Sequence, residues 1–255
     1  MSGQITNKTI DDVIEEMNQV IDRCIREKSK IGYFAVLYRD VTIQVKKKIE
    51  EGCYFEDGKR MEQLDVVFAG RFLDAINEYW GNETPSKSWL IAFNSSKSKS
   101  PIILQHLLLG MNAHINLDLA IATAQVAPGD LLPAIENDFQ KIMDLLSSMI
   151  DEVQERIEKV SPAIGLIDKI GGRTDEKIAG FVIEKARNLS WSTAEKLAVE
   201  SPSEFALSYA LHDDVVSLVG KYISRPGLFL TFGCWLIRLR ESKDVVKVIR
   251  ALEMN

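Results

Sequence analysis

PIILQHLLLGMNAHINLDLAIATAQVA, residues Pro101 to Ala127, decides the fold. At about 100° per residue, Leu104, Leu107, Leu108, Met111, Ile115, Leu119 and Ala122 fall on one apolar face. The rest of the circumference carries Gln105, His106, Asn112, His114, Asn116 and Asp118. His114 and Asp118 stand one turn apart and project together. Gln105, Asn112 and Asn116 share another sector, with His106 between the two groups. Burying such groups without partners costs roughly 1–3 kcal/mol each. A helix of this kind therefore belongs inside a bundle whose other members answer its polar atoms. Pro101 suits its first turn, and Pro128-Gly129 ends it.

The flanking sequence is helical by the same criterion. Thr9 can cap a helix with the stripe Val13, Ile14, Met17, Ile21, Cys24 and Ile25, which Gly32 separates from a second stripe, Tyr33, Leu37, Val41, Val45 and Ile49. A third stripe, Met61, Leu64, Phe68, Phe72, Ile76 and Tyr79, ends at Gly81. Trp89 to Phe93 forms a short element, and Phe139 to Ile157 marks another helix. Thr174 offers a cap further on, Ser201-Pro202-Ser203-Glu204 is a capping box with proline in the first turn, and Ser242 can cap a terminal helix. LFLTFGCWLIRL, 228–239, reads equally as helix or buried strand. Trp191 and Trp235 are expected in the core. The expectation is an all-α, multi-helix bundle around a long buried central helix. It forms a single domain over 1–255, with a soft division near 161–173, where Gly171-Gly172 closes a short helical piece.

Composition narrows the function. The 255 residues are 46% hydrophobic and 27% charged, with a net charge of −6, so bulk binding to nucleic acid or to an anionic membrane lacks its basic surplus. Three cysteines without a CxxC pair argue against a zinc knuckle and suit a reducing compartment. The start, MSGQITNKTIDD, lacks a secretory pattern, and neither apolar run reads as a membrane span. A cytoplasmic protein acting on a small-molecule substrate or ligand is expected. No GxGxxG, P-loop, GxSxG or HExxH motif is present.

The chemistry then rests on a few polar residues. An imidazole and a carboxylate one turn apart can share a metal ion, or the Asp can orient the His as a base. They can equally form a hydrogen bond that knits two helices. Asp65 lies between Met61, Leu64 and Phe68, so it points inward and must be paired, neutral or bound to a cation. Arg71, six residues on, cannot pair with it along one helix face. Asp40, on the edge of its helix's apolar face, could be a further ligand but reads first as a solvated boundary carboxylate. Asp213 and Asp214 read as a solvent-facing acidic step beside His212, whose role the sequence leaves open.

Three stretches resemble the bacterial family DUF5995, a domain of unknown function: FAVLYRDVTIQV (34–45), CYFEDGKRMEQLDVVFAGRF (53–72) and LLLGMNAHINLDLAIA (107–122). The resemblance covers about the first half of the chain. It implies that Asp65, Arg71, Asn112, His114 and Asp118 occupy motif positions, and it brings no activity. LGMNAHINLD also resembles the HxxxD helix of zinc-dependent phospholipases C and nucleases, through His114 and Asp118 alone. With three His in the whole chain, that likeness implies one or two metal ions at most.

Three functions follow. In a metal-assisted hydrolase of a small ester or phosphoester, His106, His114, Asp118 and Asp65 would hold a divalent ion (Zn, Mn or Fe). Asp65, Arg71, His114 and Asp118 would then serve catalysis, and Asn112 and Asn116 would bind the cofactor. In a metal-free helical pocket for an apolar small molecule, a protonated Asp65 would act as acid, as in a cyclase. In a structural protein, the polar core would only fix helix register.

Overall fold

The computed structural model describes residues 8–165 and 175–254, with side chains omitted for 175–184. Helix α1 (Ile10–Glu27) starts at a capping box made by Thr9 and Asp12. Helix α2 (Ile31–Glu50) follows after Lys28 turns the chain in the left-handed region. Gly32 therefore lies inside α2 and is not the separator expected. Its lack of a side chain admits Ile249, whose Cδ1 lies 2.6 Å from where a Cβ would sit. Helices α3 (Gly58–Trp80) and α4 (Lys87–Ser96) complete the N-terminal half.

The central rod begins at Ile103, two residues beyond Pro101, and has three parts. These are α5 (Ile103–Met111), a π-helical stretch (Asn112–Asp118) and α6 (Leu119–Val126). A 3₁₀ turn (Gly129–Ile135), α7 (Glu136–Ser148), α8 (Ile150–Val160), α9 (Asp175–Ala198) and α10 (Pro202–Ser224) follow. The capping box predicted at Ser201 and Glu204 opens α10. The ambiguous apolar segment is helical, α11 (Leu228–Arg238). The last helix, α12 (Val245–Leu252), is capped by Asp244 and not by Ser242. The expectations at Gly171-Gly172 and Thr174, and most of the soft division, fall outside the described residues.

Helices α2, α3, α4, α9 and α10 pack around the rod, and α12 closes against α2 and α8. No strand occurs among the described residues, so the all-α expectation holds. By length and composition Ile103–Val126 would suit a bilayer span, yet most of it is buried inside the bundle. The cover extends beyond the face that periodicity favours, of which Leu107, Leu119 and Ala122 are buried. Leu104, Leu108, Met111 and Ile115 are half-buried, whereas Gln105, His106, Asn112, His114 and Asp118 are buried. Gln105, Asn112 and Asp118 find partners on α3, α4 and α10, and those helices cover that side.

Buried carboxylates start several helices from a distance, answering backbone N–H groups that the helices cannot satisfy themselves. Asp138 accepts from Glu56 N (2.7 Å) and Asp57 N (3.1 Å) before α3. Glu241 accepts from Ile103 N (2.9 Å) at the start of the rod. Asp213 accepts from Lys87 N (2.7 Å), Ser88 N (3.0 Å) and Ser88 Oγ (2.6 Å) at the start of α4. Asp213 is thus a buried cap, which corrects its reading as solvent-facing, and Asp214 remains exposed. Asp40 is also buried, receiving Arg39 Nη2 (2.7 Å), Arg156 Nη1 (3.4 Å) and Met254 N (2.6 Å). Three donors from α2, α8 and the C-terminal segment compensate for its desolvation. Trp235 is 52% exposed, against expectation, while half-buried Trp191 packs on Phe139 at 5.1 Å.

Gly110 admits Phe34 to the rod. A Cβ there would lie 2.4 Å from Phe34 Cγ and 2.9 Å from its Cβ. Gly110→Ala is expected to destabilise the fold by about 1–3 kcal/mol, as overpacking does. A urea midpoint at or above wild type would show that the ring has room to retreat.

Candidate functional site

The rod departs from α-helical geometry where its polar residues cluster. Leu119 N–H donates to His114 O, five residues back, which widens the turn. Such π segments are uncommon and frequently occur at functional sites. Neighbouring helices bond the carbonyls of this wide turn. Ser190 Oγ on α9 donates to Ile115 O (2.6 Å), and His212 Nε2 on α10 bonds Asn116 O (2.6 Å). Asn116 Nδ2 donates to Asn112 Oδ1 (3.0 Å), and Asn112 Nδ2 donates to Val216 O (3.0 Å). Asn112 and Asn116, expected to bind a cofactor, are engaged in this scaffold, and His212 takes part in it.

Asp118 is the hub. Its Oδ1 accepts from Arg71 Nε (2.9 Å) on α3, and its Oδ2 accepts from Trp89 Nε1 (2.8 Å) on α4. His114 Nδ1 lies 3.1 Å from the same Oδ2. A carboxylate in an ion pair with Arg71 can only accept, so Nδ1 carries the hydrogen and Nε2 keeps its lone pair. The cap from Asp213 bears directly on this geometry, because it fixes the start of α4 at Lys87 and Ser88, just before Trp89. Arg71 thus has the partner on another helix that Asp65 was expected to need.

Aromatic rings enclose the imidazole. Phe68 stacks on it with centroids 3.7 Å apart and planes 7° apart, and Tyr38 meets it edge-on at 4.1 Å. Phe34, Phe72 and Trp89 close the remaining sides at 5.8, 6.3 and 5.9 Å. Burial holds the His114 pKa below its ordinary value, against the opposing pull of Asp118. The imidazole is therefore neutral near pH 7.

On α3 and the π segment, Arg60 Nε, Asp65 Oδ2, His114 Nε2 and Asn116 Oδ1 are buried with no hydrogen-bond partner among the described residues, and on α2 the buried Tyr38 and Thr42 hydroxyls have only each other. Burial, with Glu62 adding to it, pushes Asp65 up to about 8, so its carboxyl is protonated at neutral pH. Burial raises the Tyr38 phenol well above its usual range, and Asp65 and Asp118 add to this. Native interiors seldom leave such atoms unanswered, and each of them calls for an explanation.

His106 belongs to another neighbourhood. It packs on Tyr33 at 5.8 Å, and burial, then Lys30 and Arg238, lowers its pKa to about 3. It lines a cavity of about 20 Å³ with Lys30, Ser96, Phe34, Phe72 and Trp89. That volume holds about one water molecule. The cavity shares three aromatic rings with the enclosure of His114. Among the described residues no three His, Cys, Asp or Glu side chains are grouped to hold a metal ion. The expected ligand set of His106, His114, Asp118 and Asp65 is therefore not gathered. His106 faces elsewhere, and the oxygens of Asp118 are already taken by three N–H donors.

Periodicity exposed His114, Asp118 and Asp65, but it could not show the residues that complete the site. Trp89 reads as core filler, and Tyr38 and Phe68 as members of apolar stripes. The only available signal was that Tyr38, Asp65 and Asp118 all carry polar atoms on inward phases.

An all-α bundle with a buried Arg–Asp–His centre on a π turn is the class of protein these observations define. The chain belongs to DUF5995, a family of unknown function, which matches residues 10–226. Comparison with curated proteins and with solved structures gives no match.

Proposed function

We propose that the centre is an acid–base site that hydrolyses a small, uncharged ester without a metal ion. The observation that carries this reading is His114, held through Nδ1 by Asp118 while its buried Nε2 is free to take a proton. In that reaction Nε2 removes a proton from water, and the resulting hydroxide adds to the acyl carbon. The imidazolium is stabilised by Asp118, which Arg71 and Trp89 hold in place. Protonated Asp65 gives its proton to the departing alcohol, and the proton on His114 returns to Asp65 through the acid product. Atoms and charge balance over the cycle.

The surroundings favour an uncharged ester over a phosphoester. The enclosure is aromatic, and the nearest cation, Arg71, is already paired with Asp118, so a buried phosphate would go uncompensated.

Purified protein tested against short-chain nitrophenyl esters should show turnover. His114→Gln and Asp65→Asn should each lower it by about 10²–10⁴-fold, and a chelator should leave it unchanged. Full activity in both variants would refute the reading. Activity lost to chelator and restored by zinc, manganese or iron would favour the metal-assisted alternative, in which the free Nε2 and Asp65 Oδ2 are ligands.

A further inference from the structure

Two consecutive helices turn large apolar side chains toward solvent. On α10 these are Leu207, Leu211, Val215, Leu218 and Tyr222, at spacings of three or four residues, so they form one stripe. On α11 Leu228, Phe232, Trp235 and Leu239 repeat the pattern with Phe229 beside them, and Leu228 is 94% exposed. The opposite side of α11, Gly233 and Ile237, is buried against the protein. Large apolar side chains exposed at helical spacing mark an interaction site. Helix α11 also lies beyond the residues matched to the family.

The charge around this surface identifies the occupant. Over α11 and the last turns of α10, Val215 to Asp244, the chain carries five cations, Lys221, Arg225, Arg238, Arg240 and Lys243, and two acids, Glu241 and Asp244, the second of which caps α12. Upstream, Asp213 caps α4 and Asp214 pairs with Lys87. Glu241 is buried and engaged by Ile103 N and Ser161 Oγ. In a protein of net charge −6 this is a local basic excess. A second copy laid face to face would set cation against cation, whereas an anionic headgroup layer complements them. The 11 residues of α11 extend about 16 Å, too short for a hydrocarbon core of about 30 Å and suited to lying within the headgroup boundary.

We propose that α11, with the last turns of α10, seats the protein on an anionic lipid surface. Leu228, Phe229, Phe232 and Trp235 enter the headgroup–acyl boundary. Lys221, Arg225, Arg240 and Lys243 meet the lipid phosphates. This seating is separate from the chemistry at His114.

Flotation of the full chain with phosphatidylcholine vesicles, with and without phosphatidylserine, tests the proposal. Binding should require phosphatidylserine and fall with added salt. It should drop about tenfold or more in Phe232→Ser/Trp235→Ser and in Arg225→Glu/Arg240→Glu. Circular dichroism should stay unchanged, because Phe232, Trp235, Arg225 and Arg240 are exposed. Failure to float with either vesicle, or equal binding by the variants, would overturn it. So would light scattering that shows a dimer in wild type and a monomer in Phe232→Ser/Trp235→Ser, together with no vesicle binding.

Discussion

Asp118→Ala should destabilise the protein by about 3 kcal/mol, the lower end of what breaking a buried ion pair costs. The carboxylate answers three N–H groups at once, from Arg71, Trp89 and His114. Removing it leaves all three unpaired. The lower end applies because the Arg71 side chain is 22% exposed and can still reach water. The second variant Asp118→Leu/Arg71→Met should lose less than Asp118→Ala alone, since it strands no charge. Urea unfolding of both variants decides the matter. A cost below about 1 kcal/mol for Asp118→Ala would mean that the hub is ornamental.

Asp65→Asn should change how stability depends on pH. The native carboxyl titrates at about 8, whereas an unfolded aspartate titrates near its ordinary value of 3.8. Between those values the native state holds a proton that the unfolded chain releases. The stabilisation is therefore complete below about pH 4 and is lost as pH rises to about 8. Over that window the difference between wild type and Asp65→Asn should shift by about 5 kcal/mol in favour of the variant. His106 and His114 act in the opposite sense, because their pKa values are depressed. Their contribution is present above about 6.5 and is lost on acidification. Wild type should thus be most stable near pH 6.5 and weaken toward pH 8, and Asp65→Asn should lack the alkaline loss. Parallel profiles for the two proteins would contradict a neutral, buried Asp65.

Helical periodicity is a local property, so most elements could be read from the chain. The caps at Thr9 and Ser201 and the break at Gly81 are where residue type predicts them. The misreadings at Asp40 and Asp213 share one cause. Each carboxylate is buried because donors arrive from far along the chain, and no local pattern records a partner more than a hundred residues away. The π turn was hidden for a related reason, since it depends on Ser190 and His212 from two other helices. For the site, the one-turn spacing of His114 and Asp118 and the inward phase of Asp65 were legible. The pairing of Asp118 with Arg71 and Trp89 was not, because it is a matter of packing between helices. His106 was misgrouped because sharing a helix with His114 does not place two side chains in one chamber.

Nitrogen-15 NMR of the His114 ring tests the central claim most directly. The account predicts a ring that is neutral at pH 7, with its hydrogen on Nδ1 and a bare Nε2, and that takes up its proton only below the ordinary imidazole range. A hydrogen on Nε2, or a ring that is charged at pH 7, would contradict it.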